Sequence, residues 1–288
     1  MKPHMKKIAL ASLLLLAVLP LKAGKIVTDS LYSSILSETV KYNVYLPDGF
    51  ADSGKTYPVV YLLHGLSGDY TDWVKRGSMK LVADELIGTG EAVPMVIIMP
   101  NAGGPDVHNT WNGYFNMPGW NYEDFFFREL LPSAEKKYRC GGSKGLRAIM
   151  GLSMGGGGSV VYSQRHPNLF SSCYAMNAWL DNKEGELRRK VDTVDKLYYV
   201  RESVIEHSAL DFLRDASEET LEEMRSVAWF IDCGDDDFLV KLNMDFHLLM
   251  KEKKVHSELR IRNGVHNWEY WHLALRLALP FASRNYSR

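Results

Sequence analysis

One serine, one histidine and a short run of carboxylates stand where hydrolytic chemistry would need them. Ser153 lies in Gly151-Leu152-Ser153-Met154-Gly155-Gly156-Gly157-Gly158, after an apolar run over 146–150 and before a helix-compatible segment over 159–166 that stops at Pro167. This succession reads as strand, sharp turn and helix with the hydroxyl at the apex, a nucleophile elbow. Gly151 and Gly155 flank the serine at positions where a side chain would collide with neighbouring backbone in so tight a turn. The helix after the turn would aim its free N–H groups and positive dipole end at Ser153. A phosphate cradle is the competing reading of the glycines. It is weak, because no lysine and hydroxyl pair closes the motif and no acid is placed as a dinucleotide site requires.

A serine of this kind needs a base, and the base needs an orienting acid. Asp232, Asp235, Asp236 and Asp237 cluster at the end of an apolar strand-like run over 227–233, and all four are candidates. Asp237 is also suited to cap a helix expected over 239–253. Among nine histidines, His266 alone sits on a loop at the carboxyl end of the final expected strand, 257–261, ahead of a closing helix over 269–282. The chain order serine, acid, histidine is that of α/β-hydrolases and differs from the two common protease orders.

These groups must be carried by a sheet. Segments 26–35 and 39–46 alternate apolar and polar residues and read as two antiparallel strands, ended by the turn Pro47-Asp48-Gly49. Residues 58–63 form a continuous apolar run, the signature of a central parallel strand buried on both faces. It leads into His64-Gly65-Leu66-Ser67-Gly68, a loop at a strand's carboxyl end, where a backbone N–H could face the nucleophile; His64 itself reads as structural. A helix over 78–87 and a strand over 95–99 come next, then a helical pattern over 121–138 and, after the elbow, a strand over 169–176. Strands and helices thus alternate, which implies a mostly parallel sheet with helices on both faces.

Two long segments interrupt this rhythm. The loop over 101–120 is rich in glycine, asparagine and aromatic residues, and Trp111 and Trp120 within it, with Trp268 beside His266, are candidate walls of a cleft for a ring or a sugar. Residues 179–225 form a charged, mostly helical insertion that would either cover the pocket or decorate the fold.

The 288 residues, 46% hydrophobic, suit one sizeable core, and a formal net charge of −1 with interleaved acids and bases offers no field for nucleic acid or an anionic membrane. At the N-terminus Lys2, Lys6 and Lys7 precede an apolar stretch over 8–19 and then Pro20-Leu21-Lys22-Ala23. That pattern predicts a secretory signal peptide over 1–23, a catalytic domain over 24–288 with no membrane span, and a periplasmic or secreted location. Cys140, Cys173 and Cys233 are too few for a disulfide scaffold and read as buried, inert thiols. No histidine, cysteine or carboxylate set shows metal-ligand spacing, so neither metal nor cofactor is expected.

Several of these stretches together resemble the serine-esterase family of α/β-hydrolases that includes tributyrin esterases, S-formylglutathione hydrolases, microbial feruloyl and acetylxylan esterases and mycolyl transferases. The resemblance rests on residues 61–68, on Asn121-Tyr122-Glu123-Asp124-Phe125 leading to Glu129-Leu130-Leu131-Pro132, on residues 151–156, on Gly234-Asp235-Asp236-Asp237-Phe238-Leu239, and on Gly264-Val265-His266-Asn267-Trp268. It implies an α/β-hydrolase fold with Ser153 as nucleophile, His266 as general base and acid, and Asp237 as the orienting carboxylate. It further implies that the backbone N–H groups of Leu66 and Met154 form the oxyanion hole. The substrate would be a small-molecule or carbohydrate ester, feruloyl, acetyl or short-chain; acyl transfer to a sugar hydroxyl and thioester hydrolysis of the S-formylglutathione type are the alternative readings, and the complete triad disfavours a non-catalytic binding module on the same fold. Asn267 stands where many relatives carry aspartate, and 179–225 aligns with no subgroup.

Overall fold

A computed structural model describes residues 23–103, 112–182 and 196–287. Segment 1–22, which carries most of the expected signal peptide, Trp111, and part of the insertion lie outside the described residues. The frame is an eight-stranded sheet of order β1-β2-β4-β3-β7-β8-β9-β10. Its members are β1 (Lys25–Ser33), β2 (Glu38–Leu46), β3 (Val59–Leu63), β4 (Val96–Pro100), β7 (Arg147–Leu152), β8 (Ser172–Met176), β9 (Ala228–Gly234) and β10 (Ser257–Arg262). β5 (Asn116–Met117) and β6 (Trp120–Asn121) make a separate small antiparallel pair.

The six strands from β4 to β10 run parallel, and β1 and β2 form the antiparallel edge. The apolar runs are continuous because helices cover both faces. Along β3, Val59, Tyr61 and Leu63 join one buried cluster with Val160 and Val161 of α5 (Met154–Arg165) and Phe246 of α9 (Val240–Glu252). The alternate residues Val60 and Leu62 face the other way, into a cluster with Leu86 of α2 (Met79–Gly88) and Leu275 of α10 (Trp268–Asn285). A period of two, buried on both sides, is what a doubly covered parallel strand requires.

The helical pattern over 121–138 is realised in three pieces: α3 (Tyr122–Phe125), a π-helical turn over Phe126–Leu130, and α4 (Leu131–Tyr138). Pro132 has no N–H to continue the α-helical ladder, and the wider turn directs Phe125, Phe126 and Leu130 inward together. The insertion supplies α6 (Lys196–Glu206), α7 (Ala209–Asp215) and α8 (Glu218–Arg225), and Ser208 and Ser217 cap the last two through their hydroxyls. The short helix α1 (Asp72–Lys75) comes after β3 and is anchored by the Trp73 indole N–H, which donates to the Leu63 carbonyl at 3.0 Å. Among the described residues no helix is long and apolar enough to cross a membrane. The three cysteines are free and buried, and burial pushes their thiols up, Cys173 to about 12.

Candidate active site

Parallel strands deliver the residues beyond their carboxyl ends to one edge of a sheet. Ser153 comes directly after β7, Asn177 directly after β8, Asp237 lies just past β9 and His266 just past β10. The serine occupies φ 54°, ψ −117°, a conformation most side chains avoid. It is held there by three backbone bonds: its N–H donates to Met176 O at 2.8 Å, and its carbonyl accepts from Gly157 and Trp179 at 3.0 and 2.9 Å. The flanking glycines are obligatory. A Cβ on Gly151 would lie 2.5 Å from the Gly155 carbonyl oxygen, and one on Gly155 would lie 2.4 Å from the His64 carbonyl oxygen.

The three side chains converge. His266 Nε2 lies 2.9 Å from Ser153 Oγ, and His266 Nδ1 lies 2.7 Å from Asp237 Oδ2. A carboxylate only accepts, so Nδ1 carries the proton and donates to it, which leaves Nε2 free to accept the serine hydroxyl. The Asp237 side chain is fully buried, so its charge is supported by a complete set of donors. Its Oδ1 accepts the Leu239 N–H at 2.8 Å, just ahead of α9, while Oδ2 accepts from both His266 and Asn177. The other three aspartates are engaged elsewhere. Asp232 is fully buried between Arg262, Tyr174 and Tyr270. Asp235 accepts the Gly264 N–H, and the Asp236 N–H donates to the Gly264 carbonyl, both contacts that shape the His266 loop.

Asn177 is a member of the site that sequence reasoning missed. Its side chain is completely buried and its φ is 46°. The amide nitrogen donates to Asp237 Oδ2 at 2.5 Å, and its carbonyl oxygen accepts the Trp271 indole N–H at 3.0 Å. Trp271 in turn meets the His266 ring edge-on at 5.0 Å. Asn177 therefore positions the acid and, through Trp271, the imidazole. The available signal was a polar residue directly after a buried strand at the same sheet edge as the serine. Replacing Asn177 by alanine is expected to lower kcat by about tenfold to a hundredfold with KM nearly unchanged, since small misplacements at a reacting centre cost that much. Initial-rate kinetics across pH would check this, because a purely structural loss would leave the kcat–pH profile of the folded fraction where it was.

Met154 is the first residue of α5, so its N–H has no acceptor within the helix. Leu66 adjoins Gly65, whose backbone packs against Leu152 and Ser153. Both residues thus border the serine. His64 is buried and bridges two loops: its Nε2 accepts the Ala102 N–H at 3.0 Å and its Nδ1 lies 2.8 Å from the Gly65 carbonyl. Burial holds it neutral by lowering its pKa, consistent with a supporting part.

In front of Ser153 and His266 opens a cavity of about 550 Å³. Its walls include Leu152, Trp179, Leu239, Trp268 and Trp271, with Leu197 and Arg201 contributed by α6 of the insertion. Of the tryptophans expected to contact substrate, Trp268 lines this cavity. Trp120 does not: it is only 5% exposed, stacks on Tyr122 and donates its indole N–H to the Gly113 carbonyl at 3.1 Å. It packs the aromatic loop onto the core, and the expectation of substrate contact there is corrected. Asn267, the departure from the family pattern, caps α10 by accepting the Tyr270 N–H at 3.0 Å. Among the described residues no three histidine, cysteine or acidic side chains are grouped closely enough to hold a metal ion.

A family model described as "Putative esterase" matches residues 33–282. The chain belongs to the esterase family, whose members hydrolyse carboxylic esters. A solved structure of a ferulic acid esterase superposes on this esterase with a TM-score of 0.87 and 46% identity, covering 92% of this chain and all of that one. The S-formylglutathione hydrolase of Staphylococcus aureus superposes with a TM-score of 0.72 at 20% identity over 90% of this chain and 99% of that one, a likeness of fold. In sequence, the endo-1,4-beta-xylanase/feruloyl esterase of Xylanibacter ruminicola is 32% identical over 151 residues. That match takes in 51% of this chain and 20% of the relative, so this esterase aligns with about a fifth of that protein's length. The sheet, its flanking helices and these neighbours make the fold that of the α/β-hydrolases.

Proposed function

We propose that this esterase cleaves hydroxycinnamoyl esters of plant carbohydrate, feruloyl above all, through an acyl-enzyme on Ser153, and that it does so outside the cytoplasm. In this reading His266 takes the serine proton as Oγ attacks the ester carbonyl, and Asp237 holds the imidazole tautomer and stabilises the imidazolium. The Leu66 and Met154 N–H groups meet the oxyanion, each worth about 3 kcal/mol by comparison with single donor deletions in other hydrolases. The alcohol departs with the proton from His266, and water, activated by the same histidine, releases the acid.

The single observation that carries the acyl preference is the tryptophan-lined cavity directly in front of the nucleophile. A two-carbon acetyl group would leave most of it unfilled. Burying on the order of 100 Å² more apolar area is worth about 2.5 kcal/mol, near a hundredfold in kcat/KM. The 46% identity to a ferulic acid esterase over nearly the whole chain supports the same choice. Export is supported by the basic and apolar pattern of residues 1–23. Methyl ferulate is therefore expected to exceed methyl acetate by about a hundredfold in kcat/KM, and feruloylated xylan to be deacylated faster than acetylated xylan. Chromatographic product analysis measures both. An acetyl preference would sink the acyl assignment, and transfer of the acyl group to an added sugar in place of water would make the enzyme a transferase.

A further inference from the structure

The cavity in front of Ser153 has apolar walls and a basic mouth. Arg201 lies on α6, four residues after Leu197, so both project from one helix face into the cavity. It is half-buried, and among the described residues its side chain forms no ion pair or hydrogen bond. Arg76, at the end of α1, also lines the cavity, with its guanidinium carbon 5.0 Å from the centre of the Trp268 ring. A guanidinium laid over a ring keeps its N–H fork free for a planar anion. Asp72 is the one acid among the described lining residues. It stands four residues before Arg76, yet no ion pair joins them, and its Oδ2 accepts the Asp69 N–H at 3.3 Å. Arg201 is the half-buried one of the two, and a partly desolvated guanidinium without a partner is unfavourable until a ligand supplies one.

We infer that this cavity selects esters that carry a second, ionised carboxylate away from the scissile carbonyl, held by Arg201 and Arg76. A uronic acid on the alcohol side and a dicarboxylic half-ester on the acyl side share this chemistry. The inference rests on the esterase reading of the site, but its test does not need turnover. In a Ser153→Ala background, calorimetry compares mono-4-nitrophenyl adipate with 4-nitrophenyl hexanoate, which places the carboxylate on the acyl side. It compares 4-carboxyphenyl butyrate with phenyl butyrate for the alcohol side. The carboxylate-bearing member of at least one pair is expected to bind about tenfold more tightly, as a charge-assisted contact allows.

Arg201→Gln and Arg76→Gln should each remove most of that preference, and Arg201→Lys should keep part of it. Because Arg76 is exposed, its replacement tests the contact without disturbing the core. A preference below about twofold in both pairs, or one that survives both glutamine substitutions, overturns the inference. If the wild type hydrolyses no ester while the arginine-dependent preference holds, the esterase reading fails and the anion site stands.

Discussion

Ser153→Ala is expected to lower kcat by about a millionfold while leaving the fold and ligand binding in place, because triad members act as a unit and losing the nucleophile forfeits all of their joint contribution. The substitution removes one hydroxyl whose side-chain contact is the His266 Nε2 at 2.9 Å. Its backbone remains held by Met176, Gly157 and Trp179, so alanine keeps the same strained turn. Residual hydrolysis should come from the oxyanion donors and binding alone. Two measurements check this together: burst kinetics on a nitrophenyl ester, and mass spectrometry after treatment with a serine-directed fluorophosphonate. Wild type should show a burst and a mass adduct, and the variant neither. A variant that still turns over at more than a tiny fraction of the wild-type rate would place the nucleophile elsewhere.

Asp237→Asn should cost about 10⁴-fold in kcat while Asp235→Asn and Asp236→Asn cost little, since in serine proteases built on the same triad this change, with geometry intact, has that effect. The physical reason lies at Oδ2. As carboxylate it accepts from His266 Nδ1, which forces the imidazole proton onto that nitrogen and leaves Nε2 to accept the serine proton. An amide whose NH₂ faces Nδ1 stabilises the opposite tautomer, with Nε2 protonated and unable to act as base. That orientation would set the new NH₂ against the Asn177 NH₂, which donates to Oδ2, and the reverse orientation would set it against the Leu239 N–H, so each one loses a hydrogen bond. With its oxygen facing His266, the introduced amide would keep the His266 and Asn177 donors, but the imidazolium formed in the reaction would meet a neutral group. Raised pH should recover part of the activity, because hydroxide can then help remove the serine proton. Equal losses on replacing Asp235 or Asp237 would overturn the assignment of the acid.

Much of this arrangement is governed by short-range rules that can be read along the chain. A glycine two residues either side of Ser153 is demanded by backbone contacts of 2.4 to 2.5 Å; the one at Gly151 arises within the strand-turn-helix unit, against Gly155, while the one at Gly155 is with His64 after β3. Continuous apolar runs announced β3, β4 and β9 because each is buried on both faces. The positions of Asp237 and His266 after the last two strands were legible for the same reason, since a parallel sheet gathers the loops beyond its strand ends at one edge. The π turn over Phe126–Leu130 was not legible, because it reflects how three aromatic and aliphatic side chains share one groove of the core.

The amino-acid order by itself determined the elbow, the alternation of strands and helices, and the short set of residues able to do acyl chemistry. Which carboxylate meets the imidazole, that Asn177 clamps it from 60 residues away, that Trp120 is core while Trp268 faces the cavity, and that Arg76 and Arg201 line that cavity were decided only by the tertiary structure. Local spacing constrains the backbone within a few residues. Contacts between a serine and a histidine 113 residues apart exist only once the sheet has brought their strand ends to the same rim.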